Sequence, residues 1–147
     1  MQRRLMMACV IAVALGALFG SSASAATTAT SKLTAVSGSG TGNLAVATTA
    51  EDHGTLAAQI DATVQGTSPN ITFSVQRALD LTPNGTCDSL GAYEEQGTLT
   101  TSNGGAGAVH IERHTFAPSG LTFDVKFQLV GSDGSVLQSD CMTITVK

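Results

Sequence analysis

The sequence predicts an all-β domain, a two-sheet antiparallel β-sandwich of about seven to eight strands. Three observations predict it. Apolar and polar residues alternate with period two in several runs, as in strands with one buried and one wet face. Clusters of Gly, Pro, Asn, Asp and Ser separate these runs at short intervals. The composition is that of a β-rich extracellular domain. There are 31 Ser and Thr between Thr27 and Thr145, no Trp and a single Tyr.

The first segment is set apart from this pattern. Gln2-Arg3-Arg4 is a basic n-region, Leu5 to Phe19 is an apolar run, and Ala23-Ser24-Ala25 is a small-x-small cleavage site. Together they read as a secretory signal over 1–25, with Ala23 and Ala25 filling the shallow pockets of a signal peptidase. The apolar run has about 15 residues, short of the roughly 20 that cross a bilayer core. Cys9 precedes most of that run, so it does not suit a lipid-anchor position. Residues 26–32 contain nothing large to bury and are expected to be a flexible lead-in. One β-sandwich domain is then expected over 33–147.

Within that domain, Leu33–Val36 and Leu44–Thr49 flank the turn Ser37-Gly38-Ser39-Gly40-Thr41-Gly42. Leu56, Ala58, Ile60, Ala62 and Val64 alternate with Ala57, Gln59, Asp61 and Thr63, which marks a strand with one buried face. Ile71, Phe73 and Val75 repeat the pattern. So do Leu121, Phe123, Val125, Phe127 and Leu129, with Thr122, Asp124, Lys126 and Gln128 on the wet side. Met142, Ile144 and Val146 form a terminal strand. Weaker strands fall over 97–101 and 106–113. Turns fall at Gly66-Thr67-Ser68-Pro69, Pro83-Asn84-Gly85, Ser102-Asn103-Gly104-Gly105, Pro118-Ser119-Gly120 and Gly131-Ser132-Asp133-Gly134. Asp88–Glu95 could make one helical turn. Five-residue apolar faces on several strands need a second sheet to bury them, hence the sandwich.

Two cysteines remain after Cys9 leaves with the signal. Cys87 and Cys141 are expected to pair, as two cysteines in an exported chain commonly do. The bond would close a loop of about 55 residues and contribute about 4 kcal/mol in the chain-entropy model. Neither thiol looks activated, because Asp88 follows Cys87 and Asp140 precedes Cys141.

Val64-Gln65-Gly66-Thr67-Ser68-Pro69-Asn70-Ile71-Thr72-Phe73-Ser74-Val75 resembles the turn-and-strand signature of fibronectin type III and related immunoglobulin-like domains, with Pro69 four residues before the aromatic Phe73. The family usually places there a Tyr that caps the corner by hydrogen bonding, and Phe73 cannot do so. Gly97-Thr98-Leu99-Thr100-Thr101, with the Gly-rich turn through Gly107, is similar to a hairpin of exported bacterial sandwich domains. Some of those are distantly similar to the copper–zinc superoxide dismutase sandwich. The resemblance covers about 44–147 and implies an immunoglobulin-like sandwich. It carries no catalytic residue across, since the dismutase metal motif needs His-x-His and this chain has none.

Removing the signal takes Arg3 and Arg4 with it, leaving 5 basic and 11 acidic residues, net −6. This excludes the basic patch of a nucleic-acid binder. His110, Glu112 and His114 share one strand face. The two His would lie about 13 Å apart, too far for one metal to bridge unaided. They are candidate metal residues only if the turn carrying His53 folds back over them. Glu51-Asp52-His53 reads as a charged hairpin tip, and Glu94-Glu95 as adjacent residues facing opposite ways. Asn70-Ile71-Thr72 and Asn84-Gly85-Thr86 match the N-glycosylation pattern.

The expectation is therefore a non-enzymatic exported bacterial protein with a structural or recognition role at the cell surface or outside the cell. It would need no cofactor. Its partner would be a protein or polysaccharide of the cell surface, with no nucleic acid and no membrane bound in the processed form. One alternative is a small secreted metal-binding protein or metalloenzyme using His53, His110 and His114. Another is a secreted protease inhibitor presenting the 80–95 loop tethered at Cys87.

Overall fold

The computed structural model describes residues 26–147. The expected signal over 1–25, with Ala23 and Ala25, lies outside the described residues. Among the described residues nine strands form: β1 (Thr27–Ser37), β2 (Thr41–Ala50), β3 (Thr55–Gln65), β4 (Thr72–Asp80), β5 (Glu94–Thr100), β6 (Gly107–Phe116), β7 (Thr122–Gly131), β8 (Val136–Ser139) and β9 (Met142–Thr145). A single 3₁₀ turn, Asp52–Gly54, joins β2 to β3.

All strand pairs are antiparallel. They form one sheet in the order β5-β4-β7-β8-β1-β2-β3-β6, with β9 continuing beside β7 after β8 ends. The expected arrangement was two separate sheets. Instead, pairing of β1 with β8 runs the sheet through without a break. The sheet curls until its two terminal strands approach each other, giving a nearly closed, barrel-like shape. Glycine makes this approach possible: a Cβ on Gly97 of β5 would lie 2.9 Å from Cδ1 of Ile111 on β6. Across the same seam, an Nη of Arg113 donates to the carbonyl oxygen of Gln96. Side chains close the seam where no backbone ladder does.

Alternation built the core as expected. Leu56, Ala58, Ile60, Ala62 and Val64 of β3 are all buried, as are Phe73 and Val75 of β4 and Phe123, Val125, Phe127 and Leu129 of β7. Leu33, Leu44, Leu137 and Ile144 complete one continuous cluster. At roughly 1.5–3 kcal/mol for each large apolar side chain fully buried, this cluster is the main favourable term in folding.

Three sequence expectations need correction. The lead-in over 26–32 is ordered strand from Thr27 onward, paired with β2 from Thr27↔Thr48 to Thr34↔Thr41. Small residues serve there because the β2 ladder supplies the backbone partners, and Thr27 Oγ1 also donates to the Thr145 carbonyl at 2.8 Å. β8 was missed because a four-residue strand is too short to display a period. Asp88–Glu95 forms no helical turn: it is loop up to Tyr93, and β5 begins at Glu94.

Candidate functional site

The two outer faces of the sheet differ. Over β4, β7 and β9 the chain folds back on itself. Asp80 and Asp124 point away from the core, as strand alternation requires, yet both are fully buried. The 81–93 loop covers them. Asp124 accepts hydrogen bonds from the backbone N–H groups of Asn84 (2.8 Å) and Gly85 (2.6 Å) and from the Thr143 hydroxyl. Asp80 accepts from Thr82 through both its N–H and its hydroxyl, and from the Ser89 N–H at 2.9 Å. Gly91 N–H donates to the Leu79 carbonyl at 2.9 Å. A carboxylate that accepts several N–H and O–H bonds is favoured in its charged form. Thr143 first, then the Asn84 and Gly85 amides, therefore hold Asp124 below the ordinary carboxylate range against the cost of burial. Asp80 is lowered likewise, chiefly by Thr82. The disulfide Cys87–Cys141, with Cα atoms 5.7 Å apart, ties the same loop to the β8–β9 junction. That bond is the chemistry of a non-reducing environment. Sequence reading had placed Asp124 on a wet face. Alternation correctly gave its direction but could not show the loop that covers it.

The outer face of β1, β2, β3 and β6 is uncovered. Register aligns its outward residues in rows across the strands: Lys32–Asn43–Thr63–Ala108 and Thr30–Ala45–Asp61–His110. A groove of about 650 Å³ runs along it, lined by Thr30, Lys32, Asn43, Asp61, Thr63 and, at the β8–β9 break, Asp140, with Leu44 and Ala45 among its apolar surface. His110, Glu112 and His114 project from this face, as expected. His110 Nδ1 lies 2.7 Å from Asp61 Oδ1, both more than half exposed. His114 Nδ1 lies 3.1 Å from Glu51 Oε2, and its Nε2 lies 3.6 Å from Glu112 Oε1. The hydrogen bond and charge of Glu51 raise the His114 pKa. Each His thus takes a different carboxylate partner. Among the described residues, no group of three or more His, Cys, Asp or Glu is arranged to hold a metal ion, so His53, His110 and His114 do not converge into one.

A third region went unnoticed in the sequence. Arg77 of β4 pairs with Phe127 of β7, an inward residue, so its side chain enters the interior near one end of the barrel. There its side chain is 18% exposed and its Nε is buried without a partner. Desolvation pulls the guanidinium pKa down, opposed by Glu94 and reinforced by Arg113. The signal was present in the sequence: Arg77 occupies the position that continues the Phe73, Val75 alternation.

No family model matches the sequence, and no curated protein or solved structure is similar enough to it to count as a match. Function is therefore to be sought in the geometry of the surface itself.

Proposed function

We propose that this chain is an exported, non-enzymatic recognition module that binds an extracellular or cell-surface polysaccharide on the uncovered face of β1, β2, β3 and β6. The observation that carries this reading is the groove on that face. Hydroxyl, amide and charged groups of Thr30, Asn43, Asp61, Thr63 and Lys32 stand in a largely apolar groove, a combination that suits the hydroxyls and ring faces of a sugar polymer. None of the exposed large hydrophobic residues, Val36, Leu81 and Phe116, lines it. An apolar or aromatic anchor is the usual mark of a protein-binding hot spot, which favours polysaccharide over protein here. Export is supported by the signal pattern over 1–25 and by the formed disulfide. The support for an immunoglobulin-like lineage is the Pro69 and Phe73 spacing in the sequence. The continuous β1–β8 pairing departs from that lineage.

No observation favours the protease-inhibitor alternative, because the 81–93 loop turns its Thr82, Asn84, Gly85, Ser89 and Gly91 amides inward. The test is co-sedimentation of the disulfide-bonded exported protein with envelope and matrix polysaccharides. Retention by at least one polysaccharide is expected, weakened about tenfold by Asn43→Ala or Asp61→Ala (about 1.4 kcal/mol) and unchanged by Glu95→Ala on β5. Retention by none, or retention indifferent to both groove variants, would remove the proposal. Capture of a protein through the same groove would replace polysaccharide by protein as the partner.

A further inference from the structure

We propose a second binding site, separate from the outer groove, at the mouth of the barrel, where Arg77 takes the carboxylate of a small aliphatic acid. A guanidinium carries five N–H donors in a planar fork. That of Arg77 makes no hydrogen bond among the described residues. Its charge partner is Glu94, with Nη2 3.9 Å from Oε2, beyond hydrogen-bond reach. Glu94 is 71% exposed, so water screens it, whereas Arg77 is mostly buried. A buried cation paired this weakly is costly unless something else satisfies it. Arg113, the second cation acting on Arg77, adds to the positive potential at this end of the interior.

The surroundings give the ligand its shape. A pocket of about 230 Å³ opens beside Arg77, lined by Leu79, Leu81, Gly91, Ala92 and Glu94. Leu81 is 69% exposed, one of only three large hydrophobics so exposed among the described residues. One cation at the inner wall and apolar side chains toward the opening match an anion with a short hydrocarbon body. A carboxylate suits the guanidinium fork, which can donate two parallel bonds to its two oxygens. The volume suits a chain of a few carbons and is too small for a long fatty acid. Behind Arg77 the interior leaves a cavity of only about 20 Å³, so the ligand body stays in the mouth. Mouths of β-barrels are common places for such sites. Glu94 competes for the same guanidinium through its charge.

The experiment is an NMR titration of the disulfide-bonded exported protein with hexanoate, reading the Arg77 Nε–Hε resonance, with hexanol as the uncharged control. Hexanoate is expected to shift that resonance saturably in about the millimolar range, the affinity open to so few atoms. Hexanol should need at least about ten times the concentration, because it cannot fill the fork. Glu94→Gln should tighten hexanoate about threefold by removing the competing charge. Arg77→Met should abolish binding. Should that variant fail to fold, the Nε–Hε resonance and Glu94→Gln still decide. An Arg77 resonance unmoved by hexanoate, equal response to hexanol, or binding weakened by Glu94→Gln would overturn the site. Polysaccharide retention on the outer face is independent of all these outcomes.

Discussion

The faces outside β4–β7–β9 and β1–β2–β3–β6 contain the same kinds of residue put to opposite uses. Asp80 and Asp124 on the first are buried, saturated with donors and held charged. Asp61 on the second, also an outward strand carboxylate, is 59% exposed and pairs with His110. Strand position does not separate them; whether a loop folds over the strand does. The 81–93 loop buries little of its apolar surface: Leu81 is exposed, and Leu90 and Tyr93 are only half-buried. It is held instead by backbone amides on buried carboxylates and by one disulfide. Polar groups on the covered face are taken up in holding the loop, whereas Asp61, His110 and His114 on the open face stay exposed to solvent.

Cutting the disulfide is the strongest way to break this contrast. The double variant Cys87→Ser, Cys141→Ser should lose about 4 kcal/mol of unfolding free energy in urea, because the bond spans 54 positions of sequence. A loss near zero would mean that the carboxylate clamps alone hold the loop.

The clamps themselves show in the acid limb. A carboxylate whose folded pKa is depressed adds stability above its unfolded value, and that stability is lost as pH falls through the folded pKa. For Asp80 and Asp124 this window lies below the ordinary value of 3.8. Asp124→Asn should flatten the fall in stability below about pH 4 and lower the melting temperature at neutral pH. Thermal melts from pH 2 to 7 measure both.

Exposed pairs on the open face should matter least. Asp61→Asn should change stability by under about 0.5 kcal/mol. For His114 the sign reverses: its raised pKa adds stability that is full below its ordinary value of 6.5 and is lost as pH rises through the folded value. Glu51→Gln should remove that small dependence, followed by NMR titration of the His114 ring.

Much of the fold could be read from the sequence. Period-two runs placed the inward residues of β3, β4, β6, β7 and β9, and the turn clusters placed the main breaks. β1 before Leu33 was hidden because Thr and Ala at alternate positions show no apolar contrast. β8 was hidden by its length. Closure into one curled sheet depends on the β1–β8 pairing, a contact between the two ends of the chain that no local pattern reports. The disulfide was legible from cysteine count. The outward direction of His110, Glu112 and His114 was legible too. The groove was not, because it joins residues of three strands and Asp140. Arg77 was overlooked because the alternation was followed only from Ile71 to Val75.

Hydrogen–deuterium exchange, resolved to single amides, tests the division between the two faces most directly. The amides of Asn84, Gly85 and Ser89 should exchange as slowly as those of the neighbouring strand β4, although they lie in a loop, while the unladdered edge amides of β6 exchange fast. Fast exchange across the 81–93 loop, at the rate of an open turn, would contradict the account.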